Sequence, residues 1–212
     1  MGRMTLKEYR EKRNFRISPE PSGLASKERS KRSRSRIYVI QKHQASRLHY
    51  DLRLEHNGVL LSWAVPKGPS LDPSTKRLAV QVEDHPLEYA QFEGVISEGQ
   101  YGAGAVMVWD IGTWLPEQDD VADAIKTGEL KFTLRGKKLH GSWVLVRTRG
   151  YDRNAGKSWL LIKHRDRYAS KSDITVAQPK SVLTGRLLAD IARDGVGDVA
   201  RAETGDPPGR FR

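Results

Sequence analysis

Three residues between positions 43 and 51 have side chains that could hold a metal ion. His43 ends a short apolar segment, and His49 and Asp51 follow after a short connector. From His49 onward apolar residues take every second position, which indicates a strand with His49, Asp51 and Arg53 on one face. Two imidazoles and a carboxylate suit Mn²⁺, Fe²⁺ or Zn²⁺ and leave coordination positions for a phosphate, whose charge Arg53 would also neutralise. The alternative is an ordinary solvated strand face.

Further polar residues that could act on a phosphate follow about thirty positions later. His85, just past the strand-like segment Leu78–Val82, could donate a proton to a leaving group or hold a phosphate oxygen. Tyr89 and Arg77 could add phosphate contacts. Alternation in this segment predicts two faces, an apolar one with Leu78, Val80 and Val82 and a polar one with Arg77, Gln81 and Glu83.

The segments that must position these residues are short and rich in strand patterns. Asn57-Gly58, between two such segments, is a strong hairpin signal. Strands are predicted at Ile37–His43, His49–Glu55, Val59–Val65, Leu78–Val82, Ala105–Asp110, Glu129–Leu134, Ser142–Arg147 and Ser158–Lys163. Short helices are predicted at Leu6–Asn14, with Thr5 and Glu8 at capping-box spacing, at Val121–Lys126, closed by Gly128, and at Ser181–Asp194, closed by Gly195. This pattern favours a barrel or sandwich.

Smaller features have ordinary structural interpretations. The Gly99–Gly104 loop could cradle a phosphate through backbone N–H groups, but it lacks the Lys-Ser/Thr ending of a nucleotide-binding P-loop and is predicted to be a tight turn. His56 is predicted to be exposed, and His140 and His164 to be structural or near phosphate. The five tryptophans, which fall in or beside strands, are predicted to pack in the core.

Positive charge is concentrated at the start of the chain. Residues 1–36 hold twelve basic and four acidic residues, a net of +8, whereas the whole chain has a net charge of +11. A basic arm attracts phosphate backbones without reading sequence; a solvated tail with no partner is the alternative. We predict a basic arm with a short helix and a flexible linker at 1–36, a β-barrel at 37–168, and a polar extension at 169–212 that contains one helix and is disordered from Glu203.

Several classes of protein are disfavoured. The chain has no cysteine, which excludes disulfides, thiolate catalysis and cysteine-based zinc sites. It shows no apolar run of membrane-spanning length, no secretory signal and no serine-hydrolase elbow. These features predict a cytoplasmic, nucleoid-associated protein with no membrane partner.

Four stretches also resemble a known family, the 3′-phosphoesterase module of bacterial DNA ligase D. They are Gln41–Glu55 (QKHQASRLHYDLRLE), Trp63–Ser70 (WAVPKGPS), Arg77–Tyr89 (RLAVQVEDHPLEY) and Phe92–Gly104 (FEGVISEGQYGAG). The resemblance implies a mainly β fold, a compact crescent-shaped β-barrel with a few short peripheral helices. It also implies Mn²⁺-dependent removal of a 3′-terminal ribonucleoside and then of the 3′-phosphate, leaving a 3′-OH, with Co²⁺ or Zn²⁺ as other possible metals.

The resemblance also implies roles for individual residues. It assigns the metal to His43, His49 and Asp51, and phosphate contacts to Arg53, His85 and Tyr89. Further site positions match Arg13, Glu20, Lys67, Arg77 and Glu83. In the family's N-terminal Lys-Arg-Asp-Phe segment an asparagine, Asn14, stands here in place of the aspartate. Because an amide lacks the carboxylate's charge, the ribonucleoside-removing step is the one expected to change.

The partners implied are DNA or DNA/RNA 3′ ends at primer–template junctions, together with an ATP-dependent ligase or other end-joining proteins. We expect a monomer that is either a stand-alone enzyme or a piece of a longer one. Two non-enzymatic alternatives remain, a barrel that binds nucleic-acid ends without turnover and a repair scaffold that recruits proteins through its basic arm.

Overall fold

Nine strands and five short α-helices make up the regular structure of residues 6–23, 36–148 and 156–208, which the computed structural model describes. The strands are β1 (Arg36–Gln44), β2 (Leu48–His56), β3 (Val59–Val65), β4 (Arg77–Pro86), β5 (Gly94–Ile96), β6 (Gly104–Pro116), β7 (Glu129–Gly136), β8 (His140–Arg147) and β9 (Ser158–Lys163). The helices are α1 (Lys7–Glu11), α2 (Val121–Thr127), α3 (Ile174–Ala177), α4 (Leu188–Asp194) and α5 (Val199–Glu203), with a 3₁₀ helix at Leu87–Gln91.

Eight of these strands close into an antiparallel barrel. Their order is β1-β2-β3-β4-β9-β8-β7-β6, and β6 returns to pair with β1. The short β5 pairs with the beginning of β6. Closure leaves the eight strands without a free edge. The predicted mainly β barrel with a few short helices is confirmed.

The hairpin between β2 and β3 fixes the register of the strands that carry the site. Asn57 and Gly58 both have positive φ, 51° and 84°, as a two-residue type I′ turn requires. His56 therefore pairs with Val59, and the ladder continues from there along both strands. His56 itself is only 8% exposed, so the prediction that it lies in solvent is wrong.

The apolar face of each barrel strand points into the barrel interior. In β2 the even positions Tyr50, Leu52 and Leu54 belong to the main core. The five tryptophans are at most 1% exposed, which confirms their predicted role. Burying one large aromatic side chain contributes roughly 4–6 kcal/mol of transfer free energy. The odd positions of β2 consequently face outward.

In the first half of β4 the face predicted to be buried is the one that points outward, and the predicted polar face points inward. Leu78 is 44% exposed, whereas Ala79 is fully buried in the core. Gln81 accepts a hydrogen bond at Oε1 from Trp159 Nε1, at 3.2 Å, and so points towards a core tryptophan. Counting apolar residues failed here because the smallest apolar residue, Ala79, occupies the inward position.

A β-bulge then changes the alternation within β4. The pairing with β3 passes from Ser62↔Val82 to Leu60↔His85, so β4 contains one residue more than β3 over this stretch. The extra residue allows Val82, Glu83 and His85 all to line the same outward cavity. Strict alternation would have separated Val82 from Glu83.

The helix predicted to begin at Ser181 begins later. The Ser181 hydroxyl accepts the N–H groups of Leu183 and Thr184, which forms a local turn. The helix, α4, starts at Leu188 and ends before Gly195 as predicted. Ser181 does cap backbone N–H groups, but those of a turn.

Asp206 joins the C-terminal segment to the barrel. Its carboxylate accepts the N–H groups of Leu188 and Ala189 at the start of α4, and it lies 3.3 Å from the buried ammonium of Lys42 on β1. The prediction that the chain lacks structure from Glu203 onward is therefore wrong as far as Asp206.

The remaining helices are short. Gly128, with φ of 91°, closes α2 as predicted. Helix α1 is shorter than the predicted Leu6–Asn14, and Thr5, its predicted cap, lies outside the described residues. None of the helices in the described ranges has the length and apolar character that crossing a bilayer requires.

Candidate metal centre and active site

A cavity of about 290 Å³ lies on the outward face of β1–β4. The N-terminal arm and the loop after β5 contribute to its wall. Its lining residues are Arg13, His43, Ala45, Ser46, His49, Asp51, Arg53, Ala64, Val82, Glu83, His85, Tyr89, Ile96, Tyr101 and Gly102. Most of the polar residues singled out in the sequence meet here.

The three predicted metal ligands converge at one end of the cavity. His43 and His49 are cross-strand partners in β1 and β2. Asp51 Oδ2 lies 3.6 Å from His43 Nδ1 and 3.6 Å from His49 Nε2. One ligand atom from each residue lies within 4.8 Å of the others, and in the described part of the chain this is the group of three that could hold a metal.

Backbone carbonyls determine which imidazole nitrogen is free to bind a metal. His43 Nε2 lies 2.8 Å from the carbonyl oxygen of Gly102, and His49 Nδ1 lies 2.9 Å from that of Arg47. A carbonyl oxygen only accepts, so each of these nitrogens carries the hydrogen. The lone pairs of neutral rings therefore sit on His43 Nδ1 and His49 Nε2, the two atoms that face Asp51.

The charge state of Asp51 also fits a metal ligand. Burial opposes ionisation of its carboxyl, but the positive charge of Arg53 is the largest of the influences that outweigh it and hold its pKa well below the usual range. Asp51 is 5% exposed. A buried carboxylate beside two imidazole lone pairs is a donor set that a divalent first-row metal satisfies.

Arg53 is held by three hydrogen bonds to the outward face of the sheet. Its Nη2 donates to Asp51 at 3.1 Å, its Nε to Gln41 Oε1 at 2.8 Å, and its Nη1 to Ser62 Oγ at 2.9 Å. The guanidinium carbon also lies 4.9 Å from the Tyr89 ring centroid. A guanidinium has five N–H groups. Two therefore remain for a ligand in the cavity.

Sequence reasoning did not assign Gln41 or Ser62 to the site. Gln41 also donates from Nε2 to the carbonyls of Tyr89 and Phe92, at 3.0 and 2.8 Å, and thereby links Arg53 to the 3₁₀ helix. Both residues could have been found by register, since Gln41 lies two positions before His43 and Ser62 pairs directly with Arg53.

The N-terminal arm enters the site through Arg13. Its guanidinium donates to Glu20 at 2.9 Å, to Glu83 at 3.2 Å and to the Tyr9 carbonyl at 3.0 Å. The side chains of Arg13, Glu20 and Glu83 are at most 5% exposed. The arm is therefore attached to β4 by a buried ionic network.

Tyr89 connects the same network to the 3₁₀ helix. Its hydroxyl donates to Glu20 Oε1 at 3.0 Å. Burial and the negative charge of Glu20 raise the pKa of the Tyr89 phenol well above its usual value. Tyr89 is therefore protonated at neutral pH and acts as a hydrogen-bond donor.

His85 is buried and neutral. Its Nδ1 donates to the Glu83 carbonyl at 2.9 Å, which leaves the lone pair on Nε2, 3.3 Å from Arg13 Nη2. Burial and the positive charges of Arg53 and Arg13 hold its pKa well below the usual histidine value. In this state His85 accepts a hydrogen bond from Arg13 and has no proton at Nε2 to donate.

Comparison with known proteins identifies a family whose model covers the metal ligands, Arg53, His85 and Tyr89. The family model of the DNA ligase D 3′-phosphoesterase domain matches residues 41–147, just over half of the chain. The chain belongs to this family. It is 53% identical over 186 residues to a multifunctional non-homologous end joining protein LigD from Pseudomonas aeruginosa, a match that covers 86% of this chain and 22% of the relative.

Two mycobacterial relatives give the same result. The chain is 42% identical over 166 residues to a LigD of the same printed name from Mycolicibacterium smegmatis, covering 76% of the chain and 21% of the relative. It is 45% identical over 145 residues to a multifunctional non-homologous end joining DNA repair protein LigD from Mycobacterium tuberculosis, covering 68% and 18%. The chain spans about a fifth of the length of the curated relatives it matches.

Four positions singled out from the family resemblance do not line the cavity, and one of them, Glu20, contacts the lining residues Arg13 and Tyr89. Lys67 is exposed after β3, and Arg77 lies at the start of β4; neither lines the cavity. Asn14 is exposed, and its Oδ1 accepts the backbone N–H of Arg16 at 3.1 Å. Since an amide oxygen and a carboxylate oxygen accept this bond equally well, the local turn does not need an aspartate.

The other predicted features lie in structural contacts. The loop 97–103 contains successive turns, from Ser97 O to the N–H of Gln100 and from Gln100 O to the N–H of Ala103. His140 stacks on Tyr168 with ring centroids 5.2 Å apart. His164 Nδ1 lies 2.7 Å from the Ser142 hydroxyl.

Asp84, beside the arm on β4, gives a pH-dependent prediction. Burial and the charges of Glu8 and Glu83 raise the pKa of its carboxyl to about 6. The folded chain therefore keeps a proton that the unfolded chain loses near pH 4, and stability falls as pH rises between these values. Asp84→Asn is expected to raise the free energy of unfolding by about 1–2 kcal/mol at pH 8 and to leave it unchanged at pH 4.

Urea unfolding of both proteins at the two pH values measures this difference. Asp119→Asn, at an exposed position, is the matched control and is expected to have no effect at either pH. An equal effect of Asp84→Asn at pH 4 and pH 8 would contradict the assignment.

Proposed function

We propose that the chain is a metal-dependent phosphoesterase that removes the 3′-phosphate, and a 3′-terminal ribonucleoside where one is present, from nucleic-acid ends. The observation that carries this proposal is the convergence of His43 Nδ1, His49 Nε2 and the Asp51 carboxylate beside Arg53 in one cavity. Membership of the 3′-phosphoesterase family supports the same reaction class.

The metal would be held by His43, His49 and Asp51. We propose Mn²⁺, with Co²⁺ or Zn²⁺ as other metals that suit two imidazoles and a carboxylate. Bound there, the ion would supply Lewis-acid stabilisation of the charge on the phosphate oxygens. The backbone carbonyls of Gly102 and Arg47 support this assignment, because they orient both rings before any metal binds.

Arg53 would bind the phosphate group. Three of its N–H groups are used by the protein, so the guanidinium is fixed in place and its remaining N–H groups can meet phosphate oxygens without a loss of side-chain freedom. Water would attack phosphorus and the bond to the 3′ oxygen would break, giving a 3′-OH and inorganic phosphate.

We propose an accepting role for His85 before the reaction. The single lone pair on Nε2 meets Arg13 in this structure, and once Arg13 turned to the phosphate, His85 could accept a hydrogen bond from a protonated phosphate oxygen or from water. Only after taking up a proton there could it donate one to the leaving 3′ oxygen. Arg13, which faces the same nitrogen, would place a second positive charge near the phosphate.

The substrates and setting are proposed by analogy with the relatives. We propose DNA or DNA/RNA 3′ ends at primer–template junctions as substrates, and a role in break repair beside an ATP-dependent ligase. The relatives named for non-homologous end joining support the break-repair setting. We propose that the 37–168 region is the catalytic unit and that it acts as a monomer. The buried contacts of Arg13 and Glu20 support the view that the arm is part of the same site.

A primer–template whose primer ends in a 3′-phosphate tests the function. The protein is incubated with Mn²⁺, Co²⁺, Zn²⁺ or Mg²⁺ in turn, and released phosphate and primer mobility are measured. We expect release with at least Mn²⁺ and none in excess chelator. A second primer with a single 3′-terminal ribonucleotide reports the ribonucleoside step. Tight binding of the primer end without phosphate release, whichever metal is present, would show a binding module and contradict the proposed enzyme.

A further inference from the structure

Three tyrosines lie in or around the cavity, and one of them differs from the other two in its exposure. Tyr9 and Tyr89 are 0% and 2% exposed, and their hydroxyls donate to Pro21 O and Glu20. Tyr101, which lines the cavity together with the metal ligands, is 50% exposed. The family resemblance assigned no role to it. Its ring therefore presents an aromatic surface at the mouth of the cavity.

The backbone around Tyr101 is held in position. The flanking turns run from Ser97 to Gln100 and from Gln100 to Ala103. The next residue, Gly102, accepts the hydrogen bond of His43 Nε2 at its carbonyl. The loop that carries the aromatic ring is thereby tied to the triad, because the residue next to Tyr101 accepts a hydrogen bond from His43.

Positive charges lie over the same ring. Lys12 Nζ is 5.0 Å and the Arg13 guanidinium carbon 5.6 Å from the Tyr101 centroid. Lys12 is in turn held by Glu83, at 3.1 Å. An aromatic surface beside cations is the combination with which proteins hold a single nucleic-acid strand, since bases stack on the ring and phosphates meet the charge.

We propose that Tyr101 is the surface on which the nucleobase of the 3′-terminal nucleotide stacks. This inference rests on the proposed function, because a terminal phosphate bound at Arg53 and the triad would leave its nucleoside at the mouth of the cavity. Tyr101 is thus a specificity-determining residue that selects nucleotide ends over small phosphate esters. Stacking on a ring tolerates every base, so the preference is for a base and not for a sequence.

Two substrates separate stacking from other roles of this residue. Both are primer–templates with a 3′-phosphate, one ending in an ordinary nucleotide and the other in an abasic residue. Tyr101→Ala is expected to raise KM for the ordinary end roughly ten-fold, with little change in kcat, and to leave KM for the abasic end unchanged. Tyr101→Phe is expected to restore the KM for the ordinary end, because stacking needs the ring and not the hydroxyl.

Tyr168→Ala is the matched control, since this tyrosine is 37% exposed and does not line the cavity. Its KM is expected to equal that of the unaltered protein. If Tyr101→Ala changed both ends alike, the residue would act through the loop and His43, and stacking would be overturned. No change at either end would overturn it as well.

A direct binding measurement separates this inference from the proposed function. Fluorescence anisotropy with labelled ordinary and abasic ends reports the stacking contribution even where no phosphate is released. Absence of turnover in the unaltered protein would count against the enzyme. Equal affinities of the unaltered protein and of Tyr101→Ala for the ordinary end would count against stacking.

Discussion

Asp51→Asn is expected to lower the rate of 3′-phosphate release roughly a thousand-fold, because metal coordination of a phosphate contributes several kcal/mol to the transition state. The asparagine has the same shape but no charge, so it weakens the one group on which His43, His49 and Arg53 converge. The barrel is expected to remain folded, since Gln41 still holds Arg53. Calorimetric titration with Mn²⁺ should show the loss of metal binding independently of turnover.

The matched control for this substitution is Asp198→Asn. Asp198 caps α5 by accepting the N–H of Arg201, and asparagine caps helices as well as aspartate does. We expect wild-type release from this variant. Full release by Asp51→Asn, with circular dichroism and Mn²⁺ binding unchanged, would remove the triad from the proposed function.

Arg13→Met is expected to lower the free energy of unfolding by about 3–5 kcal/mol and to reduce turnover severely. The substitution leaves the carboxylates of Glu20 and Glu83 buried with much of their compensating charge removed, and an uncompensated buried charge costs about this much. It also removes the donor to His85 Nε2. Urea unfolding followed by tryptophan fluorescence measures the stability, and phosphate release measures turnover.

Arg16→Met tests whether the effect belongs to the network or to the charge of the arm. Arg16 is exposed in the same turn region, so its loss is expected to change stability by less than about 0.5 kcal/mol. The double variant Arg13→Met with Glu20→Gln should lose less stability than the sum of the two single changes. Equal melting of the Arg13→Met and Arg16→Met proteins would show that the buried ion pairs contribute nothing.

The triad could be predicted because it depends on local rules. Alternation in β2 placed His49 and Asp51 on one face, and the Asn57-Gly58 turn fixed the pairing of β2 with β3. His43 joined them because a short connector makes β1 the antiparallel neighbour of β2. These signals span no more than about twenty residues of sequence.

The features that sequence patterns did not reveal depend on contacts between distant parts of the chain, on irregular backbone, or on a small residue such as Ala79 at an inward position. The bulge that brings Glu83 and His85 to the cavity leaves no mark in the pattern of apolar residues. The charge of the arm does not reveal the position of Arg13, which is buried against Glu83, seventy positions away. Its place in the site was suggested only by the family resemblance.

Alternate residues of β2 serve two different purposes, packing in the barrel interior on one face and chemistry in the cavity on the other. Tyr50, Leu52 and Leu54 fill the closed barrel, whereas Asp51 and Arg53 face outward into the cavity. Substitutions that tune the chemistry can therefore arise without opening a void in the interior, and drift in the interior can proceed without moving a ligand. Such a barrel can diverge in metal preference or substrate range while retaining its stability, which gives natural selection and protein engineering separate sets of positions to change.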